Sequence, residues 1–333
     1  MFGNLIRRVF GSSASASAEE LATIERMVAA TDARLALLPG YRKALLPGVR
    51  VCRDYAAELV RDLPDPLELS LLSFTLDRRL GLFFSSPASL LGMLMRSDAL
   101  QAFFASPSQG DQALALLLMQ RRDSQRYGMA TLNGEVRSDV AQTVVSFDHH
   151  RMVLPCPSVE VLRASTAERA LEVIAGLVAQ RLALLAKERS DLESELTRIR
   201  LRLTALSHPE SLLIDALPDD DPLPRDRAGL LQRQEAAQCR LNEVRSVTTL
   251  NGLLELVAHM LSHPQDYFRL QQASLTLDRM GVVRSADEIE EGTRVCMEEL
   301  LLSPEEPVRR VIVPVSVSRT AMQELARSLQ ADA

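Results

Sequence analysis

Apolar positions recur along this chain with several distinct periods, and each period predicts a different kind of element. In the opening residues MFGNLIRRVFGSSASAS, Phe2, Leu5, Ile6, Val9 and Phe10 fall at helical spacing, which sets Asn4, Arg7 and Arg8 on the other side. Gly11 and the Ser/Ala run that follows bury little, so residues 1–18 read as an amphipathic helix on a tether. The stripe Leu21, Ile24, Val28, Thr31, Leu35 predicts a helix stopped at Leu38-Pro39-Gly40. Beyond Pro47-Gly48, Cys52, Tyr55, Ala56, Leu59 and Val60 predict a second helix that ends before Pro64. Further helices are expected over 67–82, 88–104 and 111–121, the last because Leu114 to Met119 is apolar on all sides, as in a central helix. Residues 19–122 are therefore expected to form an α-helical bundle, with Phe83-Phe84 and Phe103-Phe104 in its core.

The period changes after Tyr127. Asn133-Gly134 separates two extended runs, 129–132 and 135–147, and accepts the positive φ of a type I′ turn, so a β-hairpin is predicted, followed by a strand over 152–154. Alternation returns at Ala273, Leu275 and Leu277 and at Val311, Val313, Val315 and Val317, with Pro314 suited to an edge strand. Residues 123–160 and 264–333 thus read as a small β platform with a closing helix near Thr320 to Leu329.

A heptad repeat lies between these strand segments. Leu171, Val178, Leu185, Leu192, Ile199 and Leu206 take d positions, and Ala175, Leu182, Arg189, Leu196 and Leu203 take a positions. Arg189 is the polar interruption in an otherwise apolar seam, a device that can set register. Pro209, Pro218, the run Asp219 to Asp221, Pro222 and Pro224 end this arm, and a second helical run resumes near Arg227. Residues 161–263 read as an inserted antiparallel coiled-coil hairpin with arms at about 166–207 and 226–262. The expected fold class is α+β, mainly α: an N-terminal helical bundle, then a small β platform interrupted by this hairpin.

Composition narrows the function. A net charge of −6 over 38 basic and 44 acidic residues provides no cationic field for phosphate backbones, so nucleic acid is not expected as a partner. No apolar run spans a bilayer, and Arg7 and Arg8 interrupt the first apolar segment too early for a secretory signal. The four cysteines, Cys52, Cys156, Cys239 and Cys296, are widely spaced and read as reduced, buried thiols of a cytoplasmic protein. No phosphate-cradling loop, nucleophile elbow or zinc-protease motif occurs, so no cofactor and no catalytic residue is expected.

Three functions follow as expectations. The first is a non-enzymatic scaffold or adaptor that binds a protein partner or a second copy through the hairpin seam. The second is a peripheral assembly factor on the cytoplasmic face of the inner membrane, gripping lipid through Phe2, Leu5, Ile6, Arg7, Arg8, Val9 and Phe10. The third is a metal-dependent hydrolase: Glu255, His259 and His263 fall at i, i+4, i+8 on one helical face, although histidines before Pro264 also suit a helix C-terminus. Asp148-His149-His150, between expected strands, reads as a polar turn.

Overall fold

The computed structural model describes residues 16–61, 63–106, 110–132, 135–207, 223–284, 292–302 and 308–331. The fold is α+β and mainly α, with ten α-helices and six strands among the described residues. Two compact units divide the chain: Met1–Cys52 with Glu172–His263, and Arg53–Leu171 with Pro264–Ala333.

The first unit is helical. Helix α1 (Ala18–Thr31) starts at a capping box in which Ser17 Oγ accepts the Glu20 N–H at 3.1 Å and the Glu20 carboxylate accepts the Ser17 N–H at 2.8 Å. Its apolar stripe buries Ile24, Met27 and Val28. Helix α2 (Tyr41–Arg61) begins earlier than the sequence pattern predicts and carries Pro47 inside it. The pair Pro47-Gly48 does not break it: Gly48 sits where a Cβ would come within 2.8 Å of Leu261, so the glycine serves a close helix approach. Cys52 lies in the same contact, its Sγ 3.1 Å from the Leu261 carbonyl oxygen, and burial pushes its thiol pKa up to about 12.

From Glu172 onward, helix α7 (Val159–Ser207) belongs to this unit. Helices α8 (Arg227–Val247) and α9 (Leu250–Ser262) follow, separated where Thr249 caps α9 by accepting the Gly252 N–H. Two apolar clusters join α7 to α8, one of Leu192, Leu196, Ala237 and Leu241, the other of Ile199, Leu203, Leu223 and Leu230. Residue numbers rise along one helix as they fall along the other, so these segments run antiparallel.

The second unit is built on one antiparallel sheet, β3 (Glu135–Cys156), β2 (Gln112–Leu132), β6 (Val308–Ser318), β5 (Thr293–Leu302) and β4 (Phe268–Leu277) in that order, with the short β1 (Leu67–Glu68) parallel on β6. The sheet curls, because Leu277 at the end of β4 bridges Val283 while Val282 bridges Val144 of β3. Gly281 makes that closure possible: its φ is +78°, Val145 N donates to its carbonyl at 2.8 Å, and a Cβ there would stand 2.4 Å from the Val145 oxygen. One face packs Leu117, Met119, Phe147, Val311 and Val315 against Leu80, Phe83 and Phe84, Leu90 and Leu94, Leu100, Phe103 and Phe104, and Leu325. Those residues lie on or beside helices α4 (Arg78–Phe83), α5 (Pro87–Met95), α6 (Asp98–Ala105) and α10 (Arg319–Ala331).

Several expectations are corrected. The expected helix over 111–121 is instead the start of β2, from Gln112. The all-round hydrophobicity there reflects a strand buried on both faces, with Leu117 and Met119 in the main core and Leu114 and Leu116 packed with Val153, Cys156 and Leu162. The expected helix over 67–82 is instead β1, α3 (Leu71–Leu76) and α4, because Ser70 and then Asp77 each cap a new helix. The expected helix over 88–104 is likewise restarted by Ser97. Pro314 lies on an interior strand, but locally the edge expectation has a basis. Ser316 turns its carbonyl to Leu69 N beside β1, so by alternation Pro314 faces the same way, into the gap between β5, which pairs up to Ile312, and β1, which pairs from Val315. The Asn133-Gly134 turn lies outside the described residues, although β2 and β3 pair antiparallel on either side of it.

Candidate functional site

The second unit holds a groove of about 1270 Å³. Its walls come from the end of α4 and the residues after it, from α5 and the start of α6, from Val145 to Leu154 of β3, and from the turn Arg279 to Gly281. Phe83, Phe84, Met93, Val145, Phe147 and Met152 supply buried apolar surface, while Arg96, Arg151 and Arg279 are exposed.

Strand β3 reaches this groove in a distorted form. Its pairing with β2 slips by one residue at three places, and each slip contains a non-glycine residue at positive φ: Asp139 at 65°, His149 at 50° and Leu154 at 54°. These are β-bulges, and holding a leucine in the left-handed region costs roughly 1–2 kcal/mol. The polar turn expected at Asp148-His149-His150 is therefore a bulge inside a continuous strand, with His149 and His150 opposite Met119 alone.

The bulge sends the two histidines to different partners. His150 Nε2 donates to the Phe83 carbonyl at 2.7 Å, and its ring stacks on Phe84 with centroids 4.6 Å apart. Burial lowers the pKa of His150 against the opposing pull of the Phe83 bond and the Asp148 charge. Arg122 lies 2.6 Å from Asp148 Oδ2 and 3.2 Å from His149 Nε2. Ser89 and Ser97 are occupied in helix caps. His150 Nε2 is thus committed to main chain and these two hydroxyls to caps.

The predicted seam is only partly buried. Leu171, Ala175, Val178, Leu182, Leu185, Leu196 and Ile199 are buried, Leu192 and Leu203 are half-buried, and Leu206 is 45% exposed while Ala205 is buried. Arg189 does not point into the apolar interface: its side chain is 47% exposed and pairs with Glu193 at 3.1 Å. Glu193 also receives Arg245 from α8 at 2.9 Å, and Arg240 reaches Glu188 at 2.7 Å, so charges flank the apolar contacts. At the C-terminal end of α9 the rings of His259 and the capping His263 stack at 4.6 Å, and His263 Nδ1 is 3.0 Å from the His259 carbonyl oxygen. Among the described residues no three His, Cys, Asp or Glu side chains gather in a way that could hold a metal, and Glu255, His259 and His263 are no exception. Phe2, Leu5, Ile6, Arg7, Arg8, Val9 and Phe10 lie outside the described residues. No described helix is long and apolar enough to cross a membrane.

Comparison with family models, curated proteins and solved structures finds no match to this chain. Apart from Phe83-Phe84 and Asp148-His149-His150, the groove residues carry no sequence signal, because they come from five separate segments. The available signal was the Asp-His-His triplet breaking an apolar alternation, which is also how a bulge reads.

Proposed function

We propose that this protein is a non-enzymatic scaffold or adaptor whose paired arms, the distal half of α7 and α8, mediate protein association. The observation that carries this reading is the set of large apolar side chains left over once the arms have packed on each other: Leu184, Leu201, Leu206 and Leu231 are each 45–48% exposed. We read these leucines, carried by a helix pair joined by two apolar clusters, as contacts for a helix-on-helix partner, with a second copy of the chain as the simplest one.

Sedimentation velocity over a range of concentrations tests this on the full chain. The wild type is expected to self-associate, and the triple variant Leu184→Glu, Leu201→Glu, Leu231→Glu to sediment as a monomer with unchanged circular dichroism. A folded triple variant that associates like the wild type removes the arms from the account.

A further inference from the structure

We infer that the groove beside β3 is a docking site for an extended acidic peptide segment of a partner protein, which adds to the open edge of β3. The inference stands apart from the role of the arms. In the sheet order β3 is the terminal strand. On its outer side, residues 143–145 are met by the closing turn: Val283 N donates to Thr143 O and Val145 N to Gly281 O, each at 2.8 Å. Backbone polar groups of Thr143 and Val145 therefore face outward, and alternation turns those of Phe147 the same way. From Ser146 to Leu154 no strand among the described residues pairs with that edge, and this stretch, which bends at the His149 bulge, lines the groove. An unpaired edge that opens into a groove is the arrangement used in strand addition, where main-chain bonds give affinity and side-chain pockets give specificity.

Charge identifies the peptide. Arg96, Arg151 and Arg279 line the groove and make no ion pair among the described residues. Two carboxylates also line it, but Asp148 is neutralised by Arg122, which leaves Asp98 against three guanidiniums. In a chain of net charge −6 this is a local reversal of sign that favours acidic side chains. The apolar wall of Phe84, Met93 and Met152 matches the alternate, inward-facing residues of an extended segment. At about 1270 Å³ the groove exceeds the roughly 300–1,000 Å³ typical of small-molecule sites, which favours a peptide over a metabolite.

The probe is a fluorescein-labelled, C-terminally amidated heptapeptide, Glu-Val-Glu-Phe-Glu-Val-Glu, titrated with the full chain by fluorescence anisotropy. Saturable binding is expected, weakened by about tenfold or more, roughly 1.4 kcal/mol, in the double variant Arg151→Glu, Arg279→Glu. The same peptide N-methylated at alternate residues, and Lys-Val-Lys-Phe-Lys-Val-Lys, are expected not to bind. If the charge-reversed double variant does not fold, Arg151→Gln with Arg279→Gln takes its place and is expected to weaken binding severalfold. The inference is overturned by absent saturable binding to the wild type, by equal binding of the basic peptide, by equal binding of the N-methylated peptide, or by unchanged affinity in a folded arginine variant.

Discussion

His150 shows how a single residue reports the state of its surroundings. Its imidazole is lodged between the Phe83 carbonyl and the Phe84 ring, and burial disfavours its charged form, so its folded pKa lies below the unfolded value of about 6.5. The unfolded chain then binds more protons between the two values. The stability His150 contributes is complete above about pH 6.5 and is lost as pH falls through the folded pKa. Urea midpoints at pH 7.5 and 5.5 should differ more for the wild type than for His150→Asn, which keeps a donor but does not titrate in that range; equal pH dependence in the two proteins would locate the sensitivity elsewhere. At Gly281 and Leu154 the constraint is the backbone rather than charge. A glycine meets it without steric cost at the first position and a leucine only with strain at the second.

At the scale of elements, the long helices separate apolar pattern from apolar burial. Every seventh residue from Leu171 to Leu206 is aliphatic, yet Leu196 is 2% exposed and Leu206 45%. Leu196→Ala is expected to cost about 3 kcal/mol, from lost transfer energy and the cavity left beside Ala237 and Leu241. Leu206→Ala should stay within about 0.5 kcal/mol, as surface substitutions do. Chemical denaturation of the two variants measures both; equal losses would mean that the register of the two arms differs from the one described. The heptad was legible because a helix face is a local property of its residues. Which leucines end up covered depends on where α8 lies, and Ala205 rather than Leu206 faces inward at the distal end. Arg189 illustrates the same point: its a position predicted a seam residue, but its long side chain reaches out to pair with Glu193.

For the whole molecule, the first residues carry the remaining sequence-based expectation. Removing residues 1–15 leaves the Ser17 capping box intact, so α1 should still form. The full chain is expected to float with liposomes containing anionic lipid and the shortened chain to remain in the soluble fraction; identical behaviour of the two would end the proposal of a lipid grip.

Local chemistry determined much of this protein from sequence alone. The mainly-α α+β class, the helical runs flanking the Pro/Asp-rich segment, the β2/β3 pairing around Asn133-Gly134 and the burial of Phe83, Phe84, Phe103 and Phe104 are legible because caps, turns and apolar periods act over a few residues. Only the tertiary structure decided that Leu114 to Met119 is strand, since an apolar run covered on both sides looks the same in either conformation until its neighbours are in place. It also decided that Asp148-His149-His150 is a bulge and that Arg96, Arg151 and Arg279, far apart in the chain, share one groove. Convergence of distant segments is set by how the sheet curls, and no short stretch of residues carries that information.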